Sequence, residues 1–304
     1  MAEITAKVVN ELRQRTGVGL MECKKALVEA AGDMEKAVEL LRVQGLAAAA
    51  KKAGRRASEG IAAAWVSEQR DAGLILEVNC ETDFVARTDD FRALVNDLVA
   101  HFSTSRHCAT TGLHEDPAEL LAEPYGKDSS RTVRDIIGDA VGKIGENLQL
   151  GRLAVINLSG ANGLVQAYEH AGGRVTTLIG VRAGKAETLR DQRFLALAKD
   201  LAMQAAAGVP EVALALTRDQ VPPEVLENEK RIYREQTLAE GKPEQLVEKI
   251  VLGRLNKFYK DVVLLEQPFI REEKQSVQNV VNSVAHALGD EIAPVVFYRF
   301  AVGE

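Results

Sequence analysis

The chain has 304 residues, of which 46% are hydrophobic and 27% charged, and its formal net charge is −6. This length allows two or three domains, and the composition is typical of a folded, soluble protein. The negative charge argues against broad binding of nucleic acid. No apolar run reaches the roughly 18 residues of a membrane-spanning helix, and the N-terminus lacks the pattern of a secretory signal. We therefore expect a cytoplasmic protein that contacts no membrane.

Motifs for bond chemistry are missing from the sequence. The phosphate loop GxxxxGK[ST], the nucleophile motif GxSxG and the zinc motif HExxH do not occur. Cys23, Cys80 and Cys108 are far apart and form no CxxC pair, so we expect reduced thiols. His107, Cys108 and His114 lie in a polar stretch and can be drawn as a metal cluster, an alternative that we do not favour because the histidines of the chain are otherwise scattered. We expect no metal, no cofactor and no catalytic residue.

Residues 1–45 predict a small bundle of three helices. Ile4, Val8 and Leu12 recur at helical spacing, and Gly17 and Gly19 interrupt the pattern. Two further apolar faces follow at the same spacing: Met21, Ala26, Leu27 and Ala30, then Met34, Ala37, Val38 and Leu41. A bundle of this size is marginal alone, so we expect it to be semi-independent of the rest of the chain.

Residues 46–58 form an alanine-rich, basic segment. It contains Lys51, Lys52, Arg55 and Arg56 within six positions. Such a run can contact nucleic acid, or it can be a solvated helical linker that a glycine ends. Aromatic residues that would stack on bases are not interleaved here, which favours the linker.

The segment 59–158 predicts strands that are followed by an amphipathic helix. Residues 74–78 are apolar and β-prone, and Asp89 or Asp90 can cap the helix that follows. The apolar positions of this helix recur at helical spacing: Phe91, Leu94, Leu98 and Phe102.

Between this strand and this helix lie Thr82, Asp83, Phe84 and Val85, which we call the tip. An aromatic ring on such a connection is costly to leave in water unless another surface buries it. The tip is therefore a candidate for insertion into a partner. The alternative is that Phe84 is a core residue that covers one edge of the sheet.

The chain repeats part of this pattern 103 residues later. The repeated apolar pairs are Val78 with Val181, Phe91 with Phe194, Leu94 with Leu197, and Leu98 with Leu201. The tip does not recur, because residues 185–187 are Lys-Ala-Glu. The shared apolar positions therefore serve the fold, which does not require the tip. We expect an α+β core of two related halves, residues 59–158 and residues 159–220 with 263–304.

Residues 221–262 predict two long amphipathic helices that are joined by the turn at 241–243. Such a hairpin can protrude as an antiparallel coiled coil or lie flat on the core, and the pattern leaves both open. A protruding hairpin offers a surface to a partner or to a second copy of the chain, as in a homodimer.

Several short segments match one family pattern in the same order. They are LRQRTG at 12–17, CKKAL at 23–27, EVNCETDFVA at 77–86, KIGEN at 143–147, GKP at 241–243 and QPF at 267–269. With these segments the chain resembles bacterial elongation factor Ts, the family of guanine-nucleotide exchange factors for elongation factor Tu. The resemblance implies a ubiquitin-associated-like N-terminal bundle, a two-part core and a protruding hairpin.

The resemblance also implies how the tip acts. Phe84 would wedge between helices of the partner's nucleotide domain, and Asp83 would disturb the groups around its Mg²⁺ ion, with Thr82 and Val85 in the same contact. Loss of the ion leaves phosphate charge poorly compensated, so GDP binds more weakly. Release of this kind needs no bond chemistry and no cofactor in the exchange factor.

Further partner contacts follow from the resemblance, residue by residue. They are Arg13, Leu20, Met21 and Lys24 in the bundle, Ile144 and Gly145 in the first half, and His170 in the second. Leu20 stands where a methionine is more usual, a change of similar volume. Residues 171–174, Ala-Gly-Gly-Arg, depart from the usual spacing after the histidine. Met21 can alternatively be buried in the bundle, and His170 can be a solvated loop residue.

Other functions remain open from the sequence. The chain can be an adaptor without effect on nucleotide state, or an RNA-binding translation factor that uses residues 51–56. A stimulator of GTP hydrolysis usually offers an arginine to the transferred phosphate, whereas the tip offers an acid and an aromatic ring.

Overall fold

The computed structural model describes residues 4–304, so residues 1–3 of the predicted bundle lie outside it. Three helices enclose a small apolar core: α1 (Ala6–Thr16), α2 (Leu20–Glu29) and α3 (Met34–Lys52). α1 ends at Gly17, whose left-handed φ of 70° suits glycine. The Asp33 side chain caps α3 by accepting from two backbone N–H groups. α3 then continues past position 45 into the predicted linker and ends at Lys52.

The first half of the core is an antiparallel sheet with helices packed on it. Its elements are β1 (Glu59–Val66), β2 (Ala72–Cys80), α4 (Asp83–Ala86), α5 (Asp89–Ser103), β3 (Gly112–His114), α6 (Pro117–Ala122), β4 (Pro124–Tyr125), β5 (Asp128–Thr132), α7 (Val133–Ile144) and β6 (Gln149–Asn157). The strand order is β1-β2-β6-β3. All nine residues of β2 are buried, because this central strand is covered on both faces.

Thr88 caps α5, so the prediction of Asp89 or Asp90 at this position was wrong. The Thr88 hydroxyl accepts from the backbone N–H of Phe91 at 3.3 Å. Both aspartates lie in the first turn, where their charges still favour the positive end of the helix dipole. Threonine and aspartate are both common caps, so the sequence alone left the first helical residue ambiguous.

The second half repeats this order and contains a helical hairpin. Its elements are β7 (Gly163–His170), β8 (Val175–Ala183), α8 (Gln192–Ala207), α9 (Pro223–Ala239), α10 (Glu244–Val262), β9 (Pro268–Phe269), β10 (Glu272–Ser276), α11 (Val277–Leu288) and β11 (Ile292–Ala301). The strand order is β11-β8-β7. Equivalent positions lie 103 residues apart up to α8 and 144 apart from β9 onward, and α9 and α10 fall between. The chain is thus a mixed α+β protein.

α9 and α10 pack on each other along their length. Tyr233 of α9 meets Val247, Val251 and Leu255 of α10, and the Arg254 guanidinium binds the Glu240 carboxylate at 2.7 Å. At the base of the hairpin a second apolar cluster joins it to the rest of the second half. Within residues 4–304 no helix is both long and apolar enough to span a bilayer.

α3 approaches α7 closely because glycines line their contact. A Cβ atom at Gly45 would lie 3.0 Å from the carbonyl oxygen of Gly138, and one at Gly142 would lie 3.2 Å from the Gly45 Cα. The Lys52 ammonium adds a hydrogen bond of 2.6 Å to the carbonyl oxygen of Gly145. These contacts fix the N-terminal bundle against the C-terminal end of α7.

We expect Gly45→Val to push α3 away from α7. The free energy of unfolding, measured in urea, should fall by about 1–3 kcal/mol, the usual cost of overpacking. Gly54→Ala is the control, because a Cβ atom there meets nothing within 4 Å. A Gly45→Val protein as stable as the parent would contradict the close packing of these helices.

Candidate partner-binding site

The tip is a single helical turn, α4, placed directly after the buried strand β2. Thr82 is its N-cap, and the Thr82 hydroxyl accepts from the backbone N–H of Val85 at 3.3 Å. Ala86 is buried and Val85 packs against the core of the first half, so the turn is anchored on one side. The sequence folds this way because a capping threonine precedes two apolar residues that reach the core.

The Phe84 ring points away from the core. It is 80% exposed, the largest exposed fraction among the large hydrophobic residues that the structure describes. The alternative prediction, that Phe84 is an ordinary core residue, is therefore wrong. A phenyl ring held in water is a favourable group to bury on contact with another surface.

Asp83 lies beside the ring with its carboxylate accessible. Its Oδ2 atom accepts from the Arg87 guanidinium at 2.8 Å, and both side chains are substantially exposed. An exposed ion pair of this kind contributes at most about 1 kcal/mol, so Asp83 can change partners at small cost. The tip therefore offers one apolar ring and one carboxylate together.

The loop after α7 holds the tip from behind. Glu146 Oε2 accepts from the backbone N–H groups of Glu81 at 3.1 Å and Thr82 at 3.0 Å, and Glu146 Oε1 accepts from the Thr82 hydroxyl at 2.7 Å. In return, Glu81 Oε1 accepts from the backbone N–H of Asn147 at 2.7 Å. The sequence analysis included the KIGEN segment in the family pattern but did not predict this contact of Glu146.

Ile144 and Gly145 lie immediately before this loop. Gly145 ends α7 with a left-handed φ of 88°, and a Cβ atom there would meet nothing within 4 Å. Ile144 is half-buried. Both predicted contact residues are thus brought next to the tip, because Glu146 follows them and binds Thr82.

The bundle residues form a separate exposed surface. Arg13 and Lys24 are exposed, Leu20 is 43% exposed and Met21 is 60% exposed, so the alternative of a buried Met21 is wrong. Val28, one of the exposed apolar residues of α2, was missed by the sequence reasoning although it lies two turns after Met21. Met21 and Val28 line a shallow depression of about 330 Å³ together with Lys24, Lys25 and Glu29.

His170 lies at the exposed end of β7 in the second half. The Tyr168 hydroxyl lies 3.4 Å from its Nδ1 atom, and the following turn holds Ala171 at a φ of 49°. Among residues 4–304, no hydrogen bond or ion pair joins His170 or the bundle surface to the tip. The predicted contact residues therefore occupy three places rather than one pocket.

Cys80 is buried, which keeps its thiol from reacting at the protein surface. Its thiol donates to the carbonyl oxygen of Thr82 at 3.1 Å, and burial, with the Glu146 charge, raises the pKa of Cys80 to about 12. The thiol therefore stays protonated at neutral pH and supports the tip as a packed group. Cys23 and Cys108 are likewise free and buried.

Fold and site together define an α+β protein that presents an aromatic tip on a rigid turn. The family described as Elongation factor TS matches residues 81–304, a range that includes the tip. A protein of Chlorobaculum parvum named Elongation factor Ts is 45% identical over 304 residues, covering all of both chains. Proteins of the same name from Trichlorobacter lovleyi and Clostridium botulinum are 42% and 44% identical, covering 99% of this chain and 93% of theirs. The chain belongs to the elongation factor Ts family of translation factors.

The histidines of the first half form a polar cluster, in which His101 and His107 are buried and His114 is half-buried. Among the described residues, no group of three or more histidine, cysteine, aspartate or glutamate side chains is arranged to hold a metal ion. Glu123 instead lies between His107, at 3.1 Å from its Nε2, and His101, at 3.6 Å. His114 packs edge-on against His107 with 4.7 Å between ring centroids.

The second half contains an uncharged counterpart of this cluster. Gln204 stands where His101 stands, and Gln267 stands where Glu123 stands. His101 Nδ1 accepts from the backbone N–H of Gly126 at 3.1 Å, and Gln204 Oε1 accepts from the N–H of Ile270 at 2.8 Å. In both halves a buried side chain therefore accepts from the equivalent backbone N–H group, and only the pair in the first half can change its charge.

This difference predicts a pH-dependent stability. Burial lowers the pKa of His101, although Glu123 acts in the opposite direction, and burial also lowers the pKa of His114. The unfolded chain then binds more protons than the folded chain as pH falls through about 6.5, so the free energy of unfolding decreases.

We expect His101→Gln, which copies Gln204, to flatten this decrease between about pH 7 and pH 5. Urea denaturation at several pH values is the measurement, and His286→Gln, at an exposed histidine, is the control. An unchanged slope in the His101 variant would contradict the assignment.

Proposed function

We propose that this protein binds elongation factor Tu in its GDP-bound state and accelerates GDP release with the tip. The observation that carries the proposal is the 80% exposed Phe84 ring on an anchored helical turn. The equivalent position in the second half is Glu187, so a ring is not needed to build this fold. The elongation factor Ts relatives support the choice of partner.

In physical terms, the free energy of binding to the partner is used to weaken the partner's affinity for GDP. Burial of a phenyl ring in the partner contributes about 1.5–3 kcal/mol of binding free energy. Asp83 disturbs the groups that orient the water shell of the partner's Mg²⁺ ion, which bridges phosphate oxygens and protein ligands. Weaker ion binding leaves the phosphates less well compensated, so GDP leaves.

Exchange then follows from thermodynamic linkage. Whatever factor this protein removes from the affinity for GDP, GDP removes from the affinity for this protein. Rebinding of nucleotide therefore releases the exchange factor. No bond is made or broken in this protein during the cycle.

The other exposed residues extend the same contact. In this proposal the partner is contacted from two parts of the chain. The ubiquitin-associated-like bundle contributes Arg13, Leu20, Met21 and Lys24, and the core contributes Ile144, Gly145 and His170.

We divide the chain into a bundle of residues 1–45, a basic linker of residues 46–58, and a core of two halves, residues 59–158 and residues 159–220 with 263–304. The coiled-coil hairpin, 221–262, provides a surface for the partner or for a second copy, and the protein works in the cytoplasm.

Phe84→Ala tests the proposal directly. With elongation factor Tu loaded with fluorescent GDP, we expect the accelerated release rate to fall at least about tenfold, because roughly 1.4 kcal/mol or more of burial is lost. Stability should change little, since the ring is exposed. Leu214→Ala, at another exposed hydrophobic residue, is the control. If the Phe84 variant released GDP at the parent rate, the role of the tip would be contradicted.

We also expect added Mg²⁺ to slow the release of GDP that the parent protein accelerates.

A second candidate function rests on Arg87. Its guanidinium lies next to the tip, where it binds Asp83, and 75% of the side chain is exposed. Exposed arginines stimulate GTP hydrolysis in other systems. The ion pair with Asp83 favours a role in holding that carboxylate instead. We expect single-turnover GTP hydrolysis by elongation factor Tu to be the same with the parent protein, with Arg87→Ala and with neither. Hydrolysis that speeds up with the parent and not with the variant would support the second function.

A further inference from the structure

We propose that Glu146 is a positioning residue that keeps the tip in the conformation needed to displace GDP. This inference rests on the proposed function and assigns to it a residue that touches the tip from behind. The Glu146 carboxylate makes three hydrogen bonds to the tip and to the residue before it. A single side chain therefore fixes the point at which β2 becomes α4.

The hydroxyl of Thr82 carries this constraint into the helical turn. It donates to Glu146 Oε1 at 2.7 Å and accepts from the backbone N–H of Val85 at 3.3 Å. Because the carboxylate can only accept, it sets the direction of the hydroxyl proton and leaves a lone pair for Val85. The direction of the cap, and hence the direction in which Phe84 projects, depends on Glu146.

The second half provides an internal comparison. Asp290 stands where Glu146 stands, and its Oδ2 accepts from the backbone N–H of Lys185 at 3.0 Å and from the Thr188 hydroxyl at 2.6 Å. The hydrogen bond from Thr188 lowers the pKa of Asp290 below its usual value. An acid at this place is thus part of the fold in both halves, but only in the first half does it hold an exposed ring.

The same loop also joins two of the proposed contact segments. Glu146 directly follows Ile144 and Gly145, and Glu81 accepts from the backbone N–H of Asn147 at 2.7 Å. The tip and the end of α7 therefore form one unit. When the partner binds at Ile144 and Gly145, the Phe84 ring is therefore already in position, and no conformational entropy is lost in ordering a loose turn.

A purely structural role for Glu146 makes a different prediction. If the carboxylate only stabilises the fold, its loss and the loss of Asp290 should have the same consequences. If it positions the tip, only its loss should impair exchange. Asp290→Ala is therefore a matched control for Glu146→Ala within the same molecule.

The experiment measures three quantities for the full-length parent and both variants. They are the free energy of unfolding in urea, amide hydrogen exchange at residues 81–86 without a partner, and fluorescent GDP release from elongation factor Tu at saturating protein. We expect Glu146→Ala to raise amide exchange in the tip and to lower the maximal release rate about tenfold or more. Asp290→Ala should leave both unchanged at a similar loss of stability.

Two outcomes would overturn the inference. In one, both variants slow release equally; in the other, Glu146→Ala loosens the tip amides while release stays at the parent rate. If Glu146→Ala does not fold, Thr82→Val removes the hydroxyl at nearly constant shape, and Thr82→Ser should restore release. A parent protein that does not accelerate release at all would instead end the proposed function, whereas tip amide exchange would still report on the hydrogen bonds of Glu146.

Discussion

The proposed function depends on one physical feature, a phenyl ring that an anchored helical turn holds in water. Exposing a phenyl ring to water costs free energy. The chain nevertheless leaves Phe84 80% exposed. The turn cannot fold back easily, because Glu146 binds its N-cap Thr82 and the buried Ala86 anchors its other end. Burial of this ring by another protein would release free energy, which is the basis of the contact that we propose.

The two halves of the core separate what the fold needs from what the function uses. Both halves place a buried strand before an amphipathic helix, and both fix the connection with an acid, Glu146 or Asp290. In both halves a buried side chain, His101 or Gln204, also accepts from the backbone N–H of the residue that follows β4 or β9. Only the first half adds the aromatic ring and neighbouring carboxylate. Comparison of one half with the other is therefore a control that needs no second protein.

The sequence predicted the parts of the fold that depend on local periodicity. Strand β2, helix α5 and their 103-residue repeat follow from apolar spacing. The tip was found as an aromatic residue beside an acid between this strand and this helix, and the repeat, which lacks it, served as the comparison. The cap at Thr88 was missed because several neighbouring residues can accept the same hydrogen bond. Glu146 was missed because it meets Thr82 only after β6 and α7 have folded beside β2. Exposure of Phe84, Met21 and Val28 likewise depends on tertiary packing, which periodicity does not encode.

The most direct measurement of the central claim is the environment of the Phe84 ring in the complex with GDP-bound elongation factor Tu. Fluorine NMR of a protein labelled with fluorophenylalanine, compared in H₂O and D₂O, reports whether the ring at position 84 touches water. We expect a solvent isotope shift for the free protein that disappears in the complex. A ring that remained in contact with water while the partner was fully bound and releasing GDP would contradict the central claim.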